Sequence, residues 1–207
     1  MKVRTDQFHR LASEALQDGF LSKALDRANT SFQEARASAV ESMPDWQELR
    51  QRGHEIKKRA IDNLPEALDT FEENFRSRGG EVHYCEDGAA ARDTILSIIR
   101  SHEGGSVTKS KSMVTEEIAL NDHLEAAGLS VIEGDLGEYI IQLAGEHPSH
   151  IVAPAIHKSR EEVAELFHEH LGSDPGADIP ELTRVARRAL REAFLSADVG
   201  ISGANFV

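Results

Sequence analysis

The sequence predicts an α/β protein, a largely parallel sheet with helices on both faces, preceded by a helical N-terminal extension. Three observations predict it. The hydrophobic period is helical from Phe8 to Phe75 and changes at Gly79-Gly80. Beyond that point, short apolar strand candidates end in polar turns that open helices, in the runs KSKSMVTEEIALN (109–121), EGDLGEYIIQLA (133–144) and SHIVAPAIHKSR (149–160). Such alternation gathers ligand-binding loops along one edge of a sheet.

The elements follow in order. Phe8, Leu11 and Ala15 share a helical face, as do Trp46, Leu49, Gly53, Ile56 and Ala60, and then Leu64, Leu68, Phe71 and Phe75. Pro44 and Pro65 fall near helix starts, where a missing N–H costs little. Two or three helices are therefore expected over residues 1–78, and an α/β domain over 79–207. EVHYC at 81–85 is strand-like, and Ala91, Ile95, Ile98 and Ile99 line a helix that ends before Gly104-Gly105. Further strands are expected at 106–109, 129–133 and 150–153, with helices at about 113–127 and 138–144.

Two later helices carry start signals. Ser159 and Glu162 have capping-box spacing ahead of a stripe of Val163, Leu166, Phe167 and Leu171. Asp178 and Glu181 repeat it ahead of Leu182, Ala186, Ala189, Ala193 and Ala197, with a loop at 172–178 between the two helices. A last strand begins at Val199, which reads as a domain incomplete at its C-terminus. An unfinished sheet would leave an unpaired edge prone to self-association.

Composition removes several function classes. Thirty-six acidic against 23 basic residues give a net charge of −13, which opposes the clustered Lys and Arg that nucleic-acid phosphates require. The dense basic stretch at 50–59 is interrupted by Glu55 and reads as a solvated helix face. One cysteine, Cys85, rules out an internal disulfide and, with no apolar leader or membrane span, points to the cytoplasm.

Candidate binding residues lie in the polar turns. Lys109, Ser110, Lys111 and Ser112 sit between a strand and a helix start, where free N–H groups favour an anion; the simpler reading has Ser112 capping the helix and both lysines solvated. Glu133, Asp135 and Glu138 could hold a sugar hydroxyl or a cation, or act as an acid/base pair; the simpler reading is a glycine-enabled turn with Glu138 in a favourable first-turn position. His157, Ser159 and Arg160 occupy the next turn, where His157 could serve as a general acid/base or an anion contact and Arg160 could clamp a carboxylate; the simpler reading is a structural histidine. The expected substrate or anion site is thus Lys109, Ser110, Lys111, Ser112, Glu138, His157, Ser159 and Arg160, and no catalytic residue is singled out. No metal site is expected. His147 and His150 flank Pro148, and His168 and His170 point to different sides of a helix.

Several runs resemble the lactate utilisation protein B family (LutB, also called LldF or YkgF). They are DWQELR (45–50), FEENF (71–75), RGGEVH (78–83), KSKSMVTEEI (109–118), DLGEYIIQLA (135–144), PSHIVAPAIHKSR (148–160) and FLSADVGISGANF (194–206), and together they cover nearly the whole chain. The resemblance implies a LUD domain similar to the NagB, RpiA and CoA-transferase-like folds. It also implies an oxidoreductase role in an electron-transfer complex that converts L-lactate to pyruvate with LutA-like and LutC-like companion subunits.

Iron–sulfur clusters of the 4Fe-4S type are implied for the full-length family protein, with ligands in a ferredoxin-type region beyond the LUD domain. No cofactor is expected on this chain, whose single cysteine falls short of the roughly four thiolates a cluster needs. A small carboxylate is the implied substrate class. Two other readings remain: a non-catalytic assembly module whose helices dock companion subunits, and a phosphate-ligand or CoA-transferase-like enzyme suggested by fold analogy, with Glu116, Glu133 or Glu138 as nucleophile and nothing in the spacing to select one.

Overall fold

The computed structural model describes residues 5–149 and 153–203. They divide into two compact units, residues 5–28 with 88–203, and residues 29–87.

Helix α1 (Phe8–Gln17) follows a 3-10 turn at Thr5–Gln7. Asp18 ends it and starts α2 (Gly19–Glu41), because its carboxylate accepts from the amides of Phe20 and Leu21, each at 2.9 Å. The boundary between the units falls within α2. Helices α3 (Trp46–Asp62) and α4 (Leu64–Ser77) complete the second unit's helices, with Pro65 in the first turn of α4. The N-terminal region thus holds four α-helices rather than two or three, since Asp18 and Asn63 each interrupt an otherwise continuous helical pattern.

The expected strand at 81–85 does not form. Residues 79–85 instead run beside α4, with no strand partner among the described residues. Arg76 donates to the Val82 carbonyl at 3.1 Å, and the Tyr84 hydroxyl donates to Glu72 at 2.9 Å. Side chains of α4 thus hold the segment in place of a ladder. Gly80 passes so close to Phe75 that an added Cβ would sit 2.2 Å from its ring.

The α/β unit opens with α5 (Gly88–Ser101), β1 (Ser106–Lys109), α6 (Met113–Glu117), α7 (Leu120–Ala126) and β2 (Ser130–Glu133). It continues with α8 (Leu136–Ala144), α9 (Arg160–Leu171), α10 (Ile179–Ser196) and β3 (Val199–Ile201). The strands form a parallel sheet in the order β2-β1-β3. The single helix expected over 113–127 is two, because Ala119 takes a left-handed conformation (φ 49°) between α6 and α7. Of the strand expected at 150–153, residues 150–152 lie outside the described residues and Ala153 is in no strand.

Two apolar clusters hold this unit. Ile99, Val107, Leu120, Leu124 and Val131 join α5 and α7 to β1 and β2. Ile140, Ala164, Phe167, Leu182 and Ala186 join α8, α9 and α10. Ser159 caps α9 in a reciprocal capping box with Glu162, and Asp178 caps α10 through the Glu181 amide, as the spacing predicts.

Polar side chains close the sheet. Asp198, just before β3, accepts from the amides of Gly105 and Ser106, both at 2.9 Å, and so fixes the entry of β1. On the outer edge of β2, the Gln142 amide of α8 donates to the Val131 carbonyl (2.7 Å) and accepts from the Glu133 N–H (3.0 Å). It stands where a neighbouring strand would pair. No described helix is long and apolar enough to cross a membrane.

Candidate functional site

The parallel register places Val107 beside Val131 and, two residues on, Lys109 beside Glu133. Side chains alternate along a strand, so Lys109 and Glu133 share the inward face of the two valines. Both are buried, Lys109 completely. The turn after β2 can approach β1 because Gly134 lacks a Cβ, which would lie 2.8 Å from the Phe194 ring and 3.1 Å from the Lys109 carbonyl. The Gly134 N–H donates to that carbonyl at 2.7 Å.

Lys109 Nζ contacts Thr115 Oγ1 at 3.1 Å, Glu116 Oε1 at 2.9 Å and Glu133 Oε1 at 2.8 Å. An ammonium has three protons, so these acceptors account for all of them. Burial opposes its charge, but hydrogen bonds to Glu133 and Glu116 outweigh that and raise its pKa above the ordinary lysine value. Asn121 Nδ2 adds a second donor to Glu133 Oε1 at 2.6 Å. Glu133 Oε2 and Asn121 Oδ1 are buried and have no hydrogen-bond partner among the described residues.

Glu138, in the first turn of α8, completes the acidic group. Its side chain is 11% exposed and lies 3.7 Å from Lys111 Nζ. Burial, then the charges of Glu133 and Glu116, raise its pKa. Such a carboxyl can exchange protons closer to neutrality than an exposed one. Glu116, Asn121, Glu133 and Glu138 line a cavity of 490 Å³.

A second polar group surrounds Glu146, just past α8. His157 Nε2 lies 2.8 Å from Glu146 Oε2, and His157 Nδ1 lies 2.7 Å from Ser149 Oγ. Lys158 bonds the other Glu146 oxygen. Burial works to raise the Glu146 pKa, but its bonds to Lys158 and His157 win and lower it.

Comparison with known proteins supplies the family. The LUD domain model matches residues 68–207, which take in most of α4, the connection after it and the sequence from α5 onward. The chain belongs to the LUD domain family. It is 38% identical over 206 residues to proteins named Lactate utilization protein B from Bacillus thuringiensis (strain Al Hakam), Bacillus cereus (strain AH187) and Bacillus anthracis (strain CDC 684 / NRRL 3495). Each match covers all of this chain and 44% of the relative, so the chain spans under half the length of these curated relatives. No solved structure matches it.

Within this LUD domain, the residues expected to form one site fall into separate surroundings. Lys109 is enclosed by carboxylates and has no proton left for an anion. Ser110 bonds the Ser202 hydroxyl at 3.1 Å, and Ser112 caps the five-residue α6 by accepting from the Thr115 amide at 3.2 Å. Lys111 lies 3.7 Å from Glu138, which lines the acidic cavity. His157 joins Glu146, Ser159 caps α9, and Arg160 bonds Glu161 and, at 3.0 Å, the Ala177 carbonyl.

The LUD domain also brings in Thr115, Asn121 and Gln142, to which the sequence assigned no role, and Glu116, which it offered only as one of three possible nucleophiles. A signal for Glu116 was present: the seven-residue spacing from Lys109 spans a strand end and a helix start, short enough for the two side chains to meet.

Proposed function

We propose that this chain supplies the LUD portion of a cytoplasmic lactate-utilisation protein acting in the oxidation of L-lactate to pyruvate. The observation that carries the reading is the 38% identity, across this whole chain, with proteins named Lactate utilization protein B. The oxidation removes two electrons and two protons from lactate. Iron–sulfur clusters of the 4Fe-4S type would take the electrons, and their thiolates must come from elsewhere in the assembly, since this chain holds only Cys85. LutA-like and LutC-like subunits are the proposed companions. In this reading the LUD portion binds and assembles rather than transfers electrons.

Deleting the gene in its own organism tests the proposal. Growth on L-lactate as sole carbon source should stop while growth on glucose continues, and a plasmid copy should restore it. Unimpaired growth on L-lactate would overturn it.

A second reading, an assembly module, is favoured by the surfaces of α3 and α4, which bury no residue and leave Ile56, Ile61, Phe71 and Phe75 at least 44% exposed. A companion lactate-utilisation subunit is the proposed occupant. The double variant Ile56→Glu, Phe71→Glu should then lose co-purification with the LutA-like and LutC-like subunits; retained co-purification rejects this reading.

A further inference from the structure

We propose that Glu116, Glu133 and Glu138 bind a hard divalent cation, of Ca²⁺ type, at the C-terminal end of β1 and β2. The inference stands apart from the lactate reading and uses none of it.

Geometry supplies the first argument. One carboxylate oxygen from each of the three residues lies within 4.8 Å of the others. Oxygens bind Ca²⁺ at about 2.3–2.6 Å, so two ligands of one ion stand up to about 5 Å apart, and these three oxygens fall within the span of one ion's ligands. Mg²⁺ and Mn²⁺ would need the oxygens drawn closer, because Mg²⁺ holds its ligands at about 2.0–2.1 Å.

Unmet bonding supplies the second. Glu133 is 97% buried, since its relative exposure is 3%, yet its Oε2 has no hydrogen-bond partner among the described residues. Asn121, a half-buried residue on the wall of the same cavity, likewise has a buried Oδ1 without a partner among the described residues. Buried polar atoms are ordinarily paired, and two acceptors without a donor beside a carboxylate cluster are atoms that a bound cation would satisfy. Lys109 cannot fill it, because its three protons already face Thr115, Glu116 Oε1 and Glu133 Oε1.

Charge supplies the third. Three carboxylates face one buried ammonium, with Lys111 further off at 3.7 Å from Glu138. A divalent ion brings the three carboxylates and Lys109 to neutrality. Carboxylate and amide oxygens are hard donors, which select Ca²⁺, Mg²⁺ or Mn²⁺ over thiophilic metals.

Isothermal titration of the full chain, dialysed against chelator and then into chelator-free buffer at fixed ionic strength, tests the site with CaCl2, MgCl2 and MnCl2. A saturable one-to-one isotherm with CaCl2 is expected, with a rise in Tm that grows with ion concentration. Glu138→Gln should weaken binding at least tenfold, while Glu34→Gln on the exposed face of α2 leaves it unchanged. Should Glu138→Gln lose its native circular dichroism, Glu116→Gln serves in its place. Non-saturable heats with all three salts, or equal affinity in the wild type and the folded variant, would overturn the proposal.

Discussion

Lys109 carries the charge balance of the buried sheet edge. Taking an ammonium out of water costs several kcal/mol, and only its three acceptors offset that cost. Lys109→Met keeps the length and removes the charge, leaving Glu133 and Glu116 without their shared donor. We expect it to lower unfolding stability by about 3–5 kcal/mol at neutral pH, read from urea denaturation. An unchanged midpoint would show that the carboxylates repack without it. Glu138 has the opposite linkage. Its raised pKa means that the folded state holds its proton more tightly than the unfolded chain. Stability therefore falls as pH rises from the ordinary carboxylate range through the raised folded value. With chelator present, Glu138→Gln should raise Tm at neutral pH and leave it unchanged in acid. A Tm gain of equal size at both pH values would contradict this origin.

At the scale of elements, caps and edge pairing decide where helices and strands end. The Ser159 hydroxyl accepts from the Glu162 amide at 3.2 Å, and Glu162 accepts from the Ser159 amide at 2.7 Å. Ser159→Ala should cost about 1 kcal/mol. The Ser159 amide first, then its hydroxyl, lower the Glu162 pKa. The stability this gives is present above the ordinary carboxylate range and fades as pH falls through the lowered folded value. The gap between wild type and Ser159→Ala in thermal melts should thus narrow in acid, and only modestly, since the Glu162 side chain is 49% exposed. Gln142 does for β2 what a cap does for a helix. Gln142→Ala leaves the Val131 carbonyl and the Glu133 N–H without their partner, at about 1–3 kcal/mol. Faster hydrogen exchange at the Glu133 amide is the direct readout, and unchanged protection there would remove Gln142 from this role.

For the whole molecule, the connection at 79–87 is the exposed and irregular segment between α4 and α5. Proteases need a stretch of chain that can unfold locally, and helices resist them. Limited trypsin digestion should therefore cut first after Arg78, giving one fragment that ends there and another that begins at Gly79. First cleavage inside α3, whose lysines and arginines are equally exposed, would show that the helices of the second unit open more readily than the connection.

Local signals were legible without any structure. The bounds of β1, those of β2 to within one residue, the caps at Ser159 and Asp178, and the stripes around Phe167 and Ala186 each depend on neighbours a few residues away. The parallel sheet followed from the same alternation of strand and helix. The failures share one cause, dependence on distant partners. Residues 81–85 have strand-like composition, but a strand exists only where another backbone lies alongside, and here the side chains of α4 take that place. Lys109 looked like either an anion ligand or a solvated lysine in a polar turn, although its two-residue spacing from Val107 already set it on the inward face. What chemistry chain order could offer at Glu133 and Glu138 was visible in their turn. That Glu116 joins them around Lys109 was decided by the register of β1 on β2 and the break at Ala119, because charges far apart in sequence acquire a common electrostatic environment only when the chain folds them together.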